Sequence, residues 1–292
     1  MKSNLAAIFL CLWVMIACSD HSFKEGKYFA GGKYVTAETL NKGKMTYTEY
    51  CMACHGVNGD GKGLSAKGLV PPPRDFTLGL YKFGQVVSGE LPSDQDFKHI
   101  IKTGLNGTGM LAWDMSDEQM DSVIQYIKTF APAAWEGKDK KIGEAIVVTP
   151  DPFGEAHKSA AIERGKEVYH ITGQCQTCHR AYVSKEELSA MNKKINNQAI
   201  TDFDANLYEV KSQDSQHNVK TVPPDFTWHS VRSAKSVDEL YVRIAAGIGG
   251  TAMPSWKDTI TNEDIWAVSH YIRYLMDMKD TPAREELIKR LQ

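Results

Sequence analysis

Past its first twenty residues the chain has no apolar run approaching the ~18 residues of a membrane helix, and its mean hydropathy is −0.37. A polytopic protein is excluded, and membrane attachment is confined to the N-terminus. Basic charge is not in excess, with 34 Lys and Arg against 36 Asp and Glu, a formal charge of −2 and a pI near 6.5. That balance excludes the surface of a nucleic-acid-binding protein. Disorder is excluded as well, because 42% of the residues are hydrophobic and 10% aromatic. No glycine-rich nucleotide loop follows a strand pattern, and no nucleophile and base are grouped for catalysis. The length of 292 residues suits two modest domains, each able to close a core. Cysteine is scarce, six in all, but its placement is informative.

Cys11 and Cys18 fall within residues 1–19, where Lys2 precedes an apolar run over 5–17 that is too short to span as a helix and ends on a small residue, as a secretory signal does. The mature chain is expected to be exported. Met15-Ile16-Ala17-Cys18 resembles the cleavage box of bacterial lipoproteins, with methionine where that box usually has leucine; an ordinary signal or an uncleaved anchor is the alternative. The lipoprotein reading makes 1–17 the signal peptide and Cys18 the lipidated first residue. A polar tether over 18–35 follows, with Gly26, Gly31 and Gly32 for flexibility.

The other four cysteines form Cys51-Met52-Ala53-Cys54-His55 and Cys175-Gln176-Thr177-Cys178-His179, both C-x-x-C-H, the attachment pattern of c-type haem. Two residues between the thiols, on the first turn of a helix, let both sulfurs bond one porphyrin edge while the adjacent histidine turns under the ring to reach iron. The competing readings are a disulfide pair, a thioredoxin-like redox site, or a zinc site built from all four thiols. Zinc does not require a histidine after the second cysteine in both copies, and neither copy follows a strand pattern.

The two motifs lie in a longer repeat. Leu40-x-x-Gly43-Lys44-x-x-Tyr47 before Cys51 matches Ile162-x-x-Gly165-Lys166-x-x-Tyr169 before Cys175, with two extra residues in the second copy. Asp75-Phe76-Thr77 after Pro71, Pro72 and Pro73 is echoed by Asp225-Phe226-Thr227 after Pro223 and Pro224. Ile101, Gly104, Gly107, Thr108 and Met110 then align without a gap to Ile244, Gly247, Gly250, Thr251 and Met253. Last come amphipathic helices opened by Ser116 with Gln119 and by Thr261 with Asp264, each pair spaced as a capping box. Their apolar stripes are Met120, Val123, Ile124 and Ile127, and Ile265, Val268 and Ile272.

This order resembles class I cytochrome c over about 36–134 and again over 158–278. More narrowly it is similar to the di-haem class I cytochromes c of bacterial respiratory chains, in which Pro-Pro-Pro-Arg-Asp-Phe-Thr and Gly-Thr-x-Met-x-x-Trp segments recur. The resemblance implies an all-α fold of tandem cytochrome c domains joined by an extended linker. Lobe 1 is expected over 36–134, the linker over 135–157, and lobe 2 over 158–292, with a C-terminal helix from Pro282. The second lobe departs from the pattern. His179 and Met253 are 74 residues apart against 55 for His55 and Met110, and a polar insertion near 184–220 replaces the short glycine loop after His55.

Two covalent c-type haems are implied, attached through Cys51 and Cys54 and through Cys175 and Cys178, with His55 and His179 as iron ligands and Met110 and Met253 opposite them. A soft, neutral thioether favours ferrous iron, and the glycines before each methionine would let backbone pass close over a porphyrin face. Leu111 replaces the proline that follows Met253; Met115, Met120, Met276 and Met278 read as core filler. His99, His170, His217, His229 and His270 do not recur between the lobes and read as surface or core histidines. Trp113 and Trp256, three residues past each methionine, are expected against the haem edge, and Arg74 near a haem propionate. A carbonyl among Pro71, Pro72 and Pro73, and of Pro223 or Pro224, is expected to accept the ring N–H of the motif histidine.

Irons capped on both faces leave no position for substrate, so the expected function is single-electron transfer between redox protein partners, a donor and an acceptor, by a periplasmic lipoprotein on the face of a membrane. No nucleic acid or small-molecule substrate is expected. The alternatives are a di-haem cytochrome c peroxidase, which needs one haem open to peroxide, and a thiosulfate dehydrogenase with a cysteine ligand, for which only Cys18 is spare after export. A third is a fixed haem subunit of an oxidase, bc or molybdoenzyme complex. Separate motifs and a connector imply that changing a ligand in one lobe leaves the other nearly unchanged.

Overall fold

The computed structural model describes residues 22–291; the expected signal peptide and cleavage box, with Cys18, lie outside them. The first lobe comprises β1 (Lys27–Phe29), β2 (Lys33–Val35), α1 (Ala37–Tyr50), α2 (Met52–His55), α3 (Asp94–Thr103), α4 (Asp117–Lys128) and the short α5 (Pro132–Trp135). The second comprises α6 (Lys158–Glu167), α7 (Lys185–Asn196), α8 (Val237–Ala246), α9 (Asn262–Met276) and α10 (Pro282–Leu291). The fold is mostly helical, and the β1–β2 hairpin is the one sheet among the described residues. No helix among the described residues is long and apolar enough to cross a membrane.

Each lobe is built on a crossing of its first helix with the amphipathic helix after the methionine segment, α1 with α4 and α6 with α9. Glycine is required at both crossings: a β-carbon on Gly43 would lie 2.1 Å from the Ser122 carbonyl oxygen, and one on Gly165 2.0 Å from that of Ala267. One turn on, Tyr47 and Tyr169 run beneath the closing helix, and each donates its hydroxyl to the carbonyl just after a motif histidine, Gly56 at 2.8 Å and Arg180 at 2.9 Å. The two extra residues of the second copy are absorbed by a π-helical turn at Val168–Thr172 and by Gln174 in a left-handed conformation.

Both predicted apolar stripes are buried, Met120, Val123, Ile124 and Ile127 in one lobe and Ile265, Val268 and Ile272 in the other. The capping box at Ser116 and Gln119 forms in both directions. At Thr261 only half of the expected box forms, because the Asp264 carboxylate is taken by Arg164 Nε at 2.7 Å. Boxes also open α3, at Ser93 and Asp96, and α8, at Ser236 and Glu239.

The expected tether is corrected over its described part. Phe29 is fully buried and Ala30 and Val35 nearly so, the Phe23 backbone is held by both ends of the Asn41 amide, and Gly31 and Tyr28 bond to the backbone of Lys140 and Gly137. These residues complete the core of lobe 1, because Trp135 and the linker give their apolar side chains a surface to cover. The linker is bonded to both lobes. Ile146 N–H donates to Gln85 O in lobe 1, while Thr149 and Asp151 bond Trp266 and His270 of lobe 2.

The lobes also bond directly to each other. Arg243 on α8 donates to the carbonyls of Lys82, Phe83 and Gly84, and Ser88 N–H donates to Ala246 O at 2.8 Å. The 184–220 insertion contributes α7, capped by Ser184, and a small core of its own around Val183, Leu188, Met191 and Leu207. Leu287 and Leu291 dock α10 onto the core of lobe 2.

Candidate haem-binding sites

The same local chemistry is built twice. In lobe 1, α1 ends at Cys51 and α2 carries Cys54 and His55; the His55 ring stacks on Phe76 at 4.5 Å and 19°, and its Nδ1 lies 3.0 Å from the Arg74 carbonyl oxygen. In lobe 2 the His179 ring stacks on Phe226 at 4.9 Å and 17°, with Nδ1 3.4 Å from the Pro224 carbonyl. A carbonyl can only accept, so Nδ1 carries the proton and Nε2 is left with its lone pair. Burial lowers the pKa of both imidazoles, that of His179 to about 4, which keeps them neutral as metal ligation requires.

The accepting carbonyl in lobe 2 is one of the two expected. In lobe 1 the expectation of a proline is corrected: Arg74 occupies the position equivalent to Pro224, directly before Asp-Phe-Thr, and its carbonyl does the work. Asp75 and Asp225 fold that turn by accepting from the amide and hydroxyl of Thr77 and Thr227.

The methionine segments are as closely matched. Leu105 N–H donates to Met110 O and Ile248 N–H to Met253 O, at 2.9 and 3.2 Å. The hydroxyls of Thr108 and Thr251 donate back to Leu105 and Ile248 and accept from the Met110 and Met253 amides. Trp113 and Trp256 tie the far end through their amides to Ile101 and Ile244. Met110 packs on the same core as Cys51 and Trp113, and Met253 on the same core as Cys175 and Trp256. Gly104 and Gly247, both at positive φ, face the backbone after the turn, where a β-carbon would lie 2.7 Å from Met110 O and 2.6 Å from Pro254 O.

The donor set fits a c-type haem in each lobe: two free thiols, a neutral imidazole with Nε2 unclaimed, and a thioether on a tied loop over the same core. It does not fit the competing readings. Burial above all pushes the Cys51 and Cys175 thiols up to about 12, opposite to a reactive redox thiol. Among the described residues no group of three or more His, Cys, Asp or Glu is placed to hold a metal, so the four thiols do not converge as a zinc site needs.

The remaining histidines have other duties. His170 holds the Lys166 carbonyl and the Tyr182 amide, His229 accepts from Asp225 N–H, and His270 pairs with Asp151, while His99 is exposed on α3. The Arg74 guanidinium lies 2.7 Å from His217 of the other lobe. Sequence reasoning did not assign roles to Tyr47 and Tyr169, Phe76 and Phe226, or Thr108 and Thr251; their recurrence at matched positions was the available signal.

Comparison with known proteins agrees with this geometry. Residues 40–131 match the family described as cytochrome c, and residues 160–272 match that described as cytochrome c oxidase, cbb3-type, subunit III. A chain of a solved Kuenenia stuttgartiensis complex, titled a reducing HAO-like protein complex, is 29% identical, with 80% of this chain and 95% of that chain covered and a TM-score of 0.63. No curated protein matches. Fold and site together define a class I cytochrome c. Within that class the chain belongs to the di-haem members, with two cytochrome c domains in tandem that bind c-type haems covalently and serve electron transfer.

Proposed function

We propose that this chain is an exported, lipid-anchored di-haem protein that passes single electrons between respiratory partners in the periplasm. His55 and Met110 hold the iron of lobe 1, His179 and Met253 that of lobe 2, and the four motif cysteines form the thioether links. The observation that carries this reading is the doubled construction, one set of hydrogen bonds presenting imidazole and thioether in each lobe. Bound there, the two haems supply reversible one-electron ferric/ferrous chemistry.

The chain's own residues orient and bury. Phe76 and Phe226 fix the planes of the histidine rings, the Arg74 and Pro224 carbonyls fix their tautomer, and Thr108 and Thr251 hold the methionine turns. A thioether in both lobes argues against a peroxidase. Exposed apolar side chains from the loops around the lobe 1 site, Val57, Leu64, Val70 and Leu111, suit contact with a protein partner. Haem staining of the denatured protein and its intact mass test the attachment; mass for fewer than two haems overturns the reading.

A second reading, a fixed subunit of a larger oxidoreductase, is favoured by the similarity to a chain of a complex and by the match of lobe 2 to an oxidase-subunit family. Purification in mild detergent separates the two. A stoichiometric partner that survives gel filtration supports the fixed subunit, and a free di-haem chain supports the carrier.

A further inference from the structure

Arg74 touches both lobes. Its carbonyl accepts the His55 ring N–H, and its guanidinium crosses to the 184–220 insertion, where Nη1 donates to His217 Nδ1 at 2.7 Å. A guanidinium has no acceptor, so His217 Nδ1 accepts and its proton sits on Nε2, which donates to Gly249 O at 2.9 Å. Gly249 and Gly250 belong to the turn that carries Met253, and a β-carbon on Gly250 would lie 2.5 Å from His217 Nε2. The imidazole is thus seated on that turn. His217 is 7% exposed, and burial first, then the Arg74 charge, lowers its pKa to about 4, consistent with a neutral acceptor.

This chain of contacts is not a product of the repeat. Pro224 stands where lobe 1 has Arg74, and His217 lies in the insertion that lobe 1 lacks. Close by, Gly249 meets Tyr81 of lobe 1, where a β-carbon would lie 2.2 Å from the Tyr81 carbonyl oxygen, and Arg243 clamps the carbonyls of the next three residues. The spacing between the histidine side of lobe 1 and the methionine turn of lobe 2 is therefore set by protein contacts.

We propose that Arg74 and His217 are positioning residues that couple the two iron sites, so that a change at the methionine of lobe 2 is felt as a change of potential in lobe 1. The proposal rests on the ligand assignment above. It replaces the expectation of independent lobes.

The test is potentiometry of the full-length holoprotein, with each wave assigned to the lobe whose methionine variant moves it most. Met253→His is expected to lower the lobe 2 wave and also displace the lobe 1 wave. In a His217→Ala background the lobe 2 wave still falls, and the displacement of the lobe 1 wave is lost. Arg74→Gln, which keeps the main-chain carbonyl and cuts the crossing from the other side, is expected to give the same loss. His217→Gln, with one acceptor and one donor, is expected to restore part of it. If Met253→His moves neither wave, the ligand assignment falls and the coupling with it. If the lobe 2 wave falls while the lobe 1 wave is unmoved, or moves equally with and without His217, the assignment stands and the Arg74–His217 coupling is overturned.

Discussion

A histidine that binds metal through Nε2 must have its Nδ1 proton engaged elsewhere, and the two lobes engage it in the same way with different residues. The Arg74 and Pro224 side chains share no chemistry, yet the site uses only the carbonyl, which every residue has. A side-chain pattern therefore could not assign the accepting carbonyl to Arg74, whereas the repeated Asp-Phe-Thr just after it was visible. At this scale the ligand assignment is directly testable. Met110→His and Met253→His are each expected to lower the potential of the haem in their own lobe, because imidazole favours ferric iron more than a thioether does. Met115→His is the control: Met115 is 8% exposed in the core of lobe 1, so replacing it should cost stability without moving either wave. A wave moved by Met115→His and not by Met110→His contradicts the assignment.

Helix crossings explain why glycine recurs before each haem motif. Ala is favoured over Gly inside a helix by about 1 kcal/mol, but at Gly43 and Gly165 the added methyl meets a backbone carbonyl that cannot rotate away. Gly43→Ala and Gly165→Ala are expected to destabilise the protein by about 1–3 kcal/mol, the usual cost of overpacking, read as a lower urea midpoint at unchanged slope. A midpoint that rises would contradict the crossing. The start of α3 and the end of α4 are joined by Asp94 and the buried Lys128. Burial alone would raise the Asp94 pKa; the Lys128 and Lys33 charges and hydrogen bonds outweigh it and hold the carboxyl at about 2. Its folded pKa is thus depressed, so the stability it contributes is present above about pH 4 and is lost as pH falls toward 2. Asp94→Asn should cost on the order of 3 kcal/mol at neutral pH, because it leaves the Lys128 ammonium buried without its counter-charge, and should flatten the acid limb of lobe 1 unfolding. An unchanged acid limb would contradict the pairing.

At the scale of the whole molecule, the sequence made the helices, the caps and the haem motifs legible because each is encoded within a few turns of chain. What it concealed joins distant segments. Phe29 is buried only because Trp135 and the linker fold back over the hairpin, so a stretch containing Gly31 and Gly32 read as a tether. His217 meets a residue 143 positions away, and Arg243 reaches carbonyls about 160 positions away; no periodicity reports such contacts. Arg243→Ala should loosen the lobes, at about 1–3 kcal/mol for each buried carbonyl left unpaired. Faster proteolysis within 136–157 with unchanged haem content would show it, and unchanged cleavage would contradict the clamp. Cys18→Ser, outside the described residues, should release the protein from the membrane fraction or block its processing with haem content intact; membrane retention would contradict the anchor.

The central claim is that both haems are low-spin with histidine on one face and methionine on the other. The most direct measurement is the sulfur-to-iron charge-transfer absorption of the oxidised protein, quantified per covalent haem. Two equivalents, lost one at a time in Met110→His and Met253→His, are the predicted result. A high-spin ferric signal from either lobe of the untreated protein would contradict the account and point to a haem open to substrate.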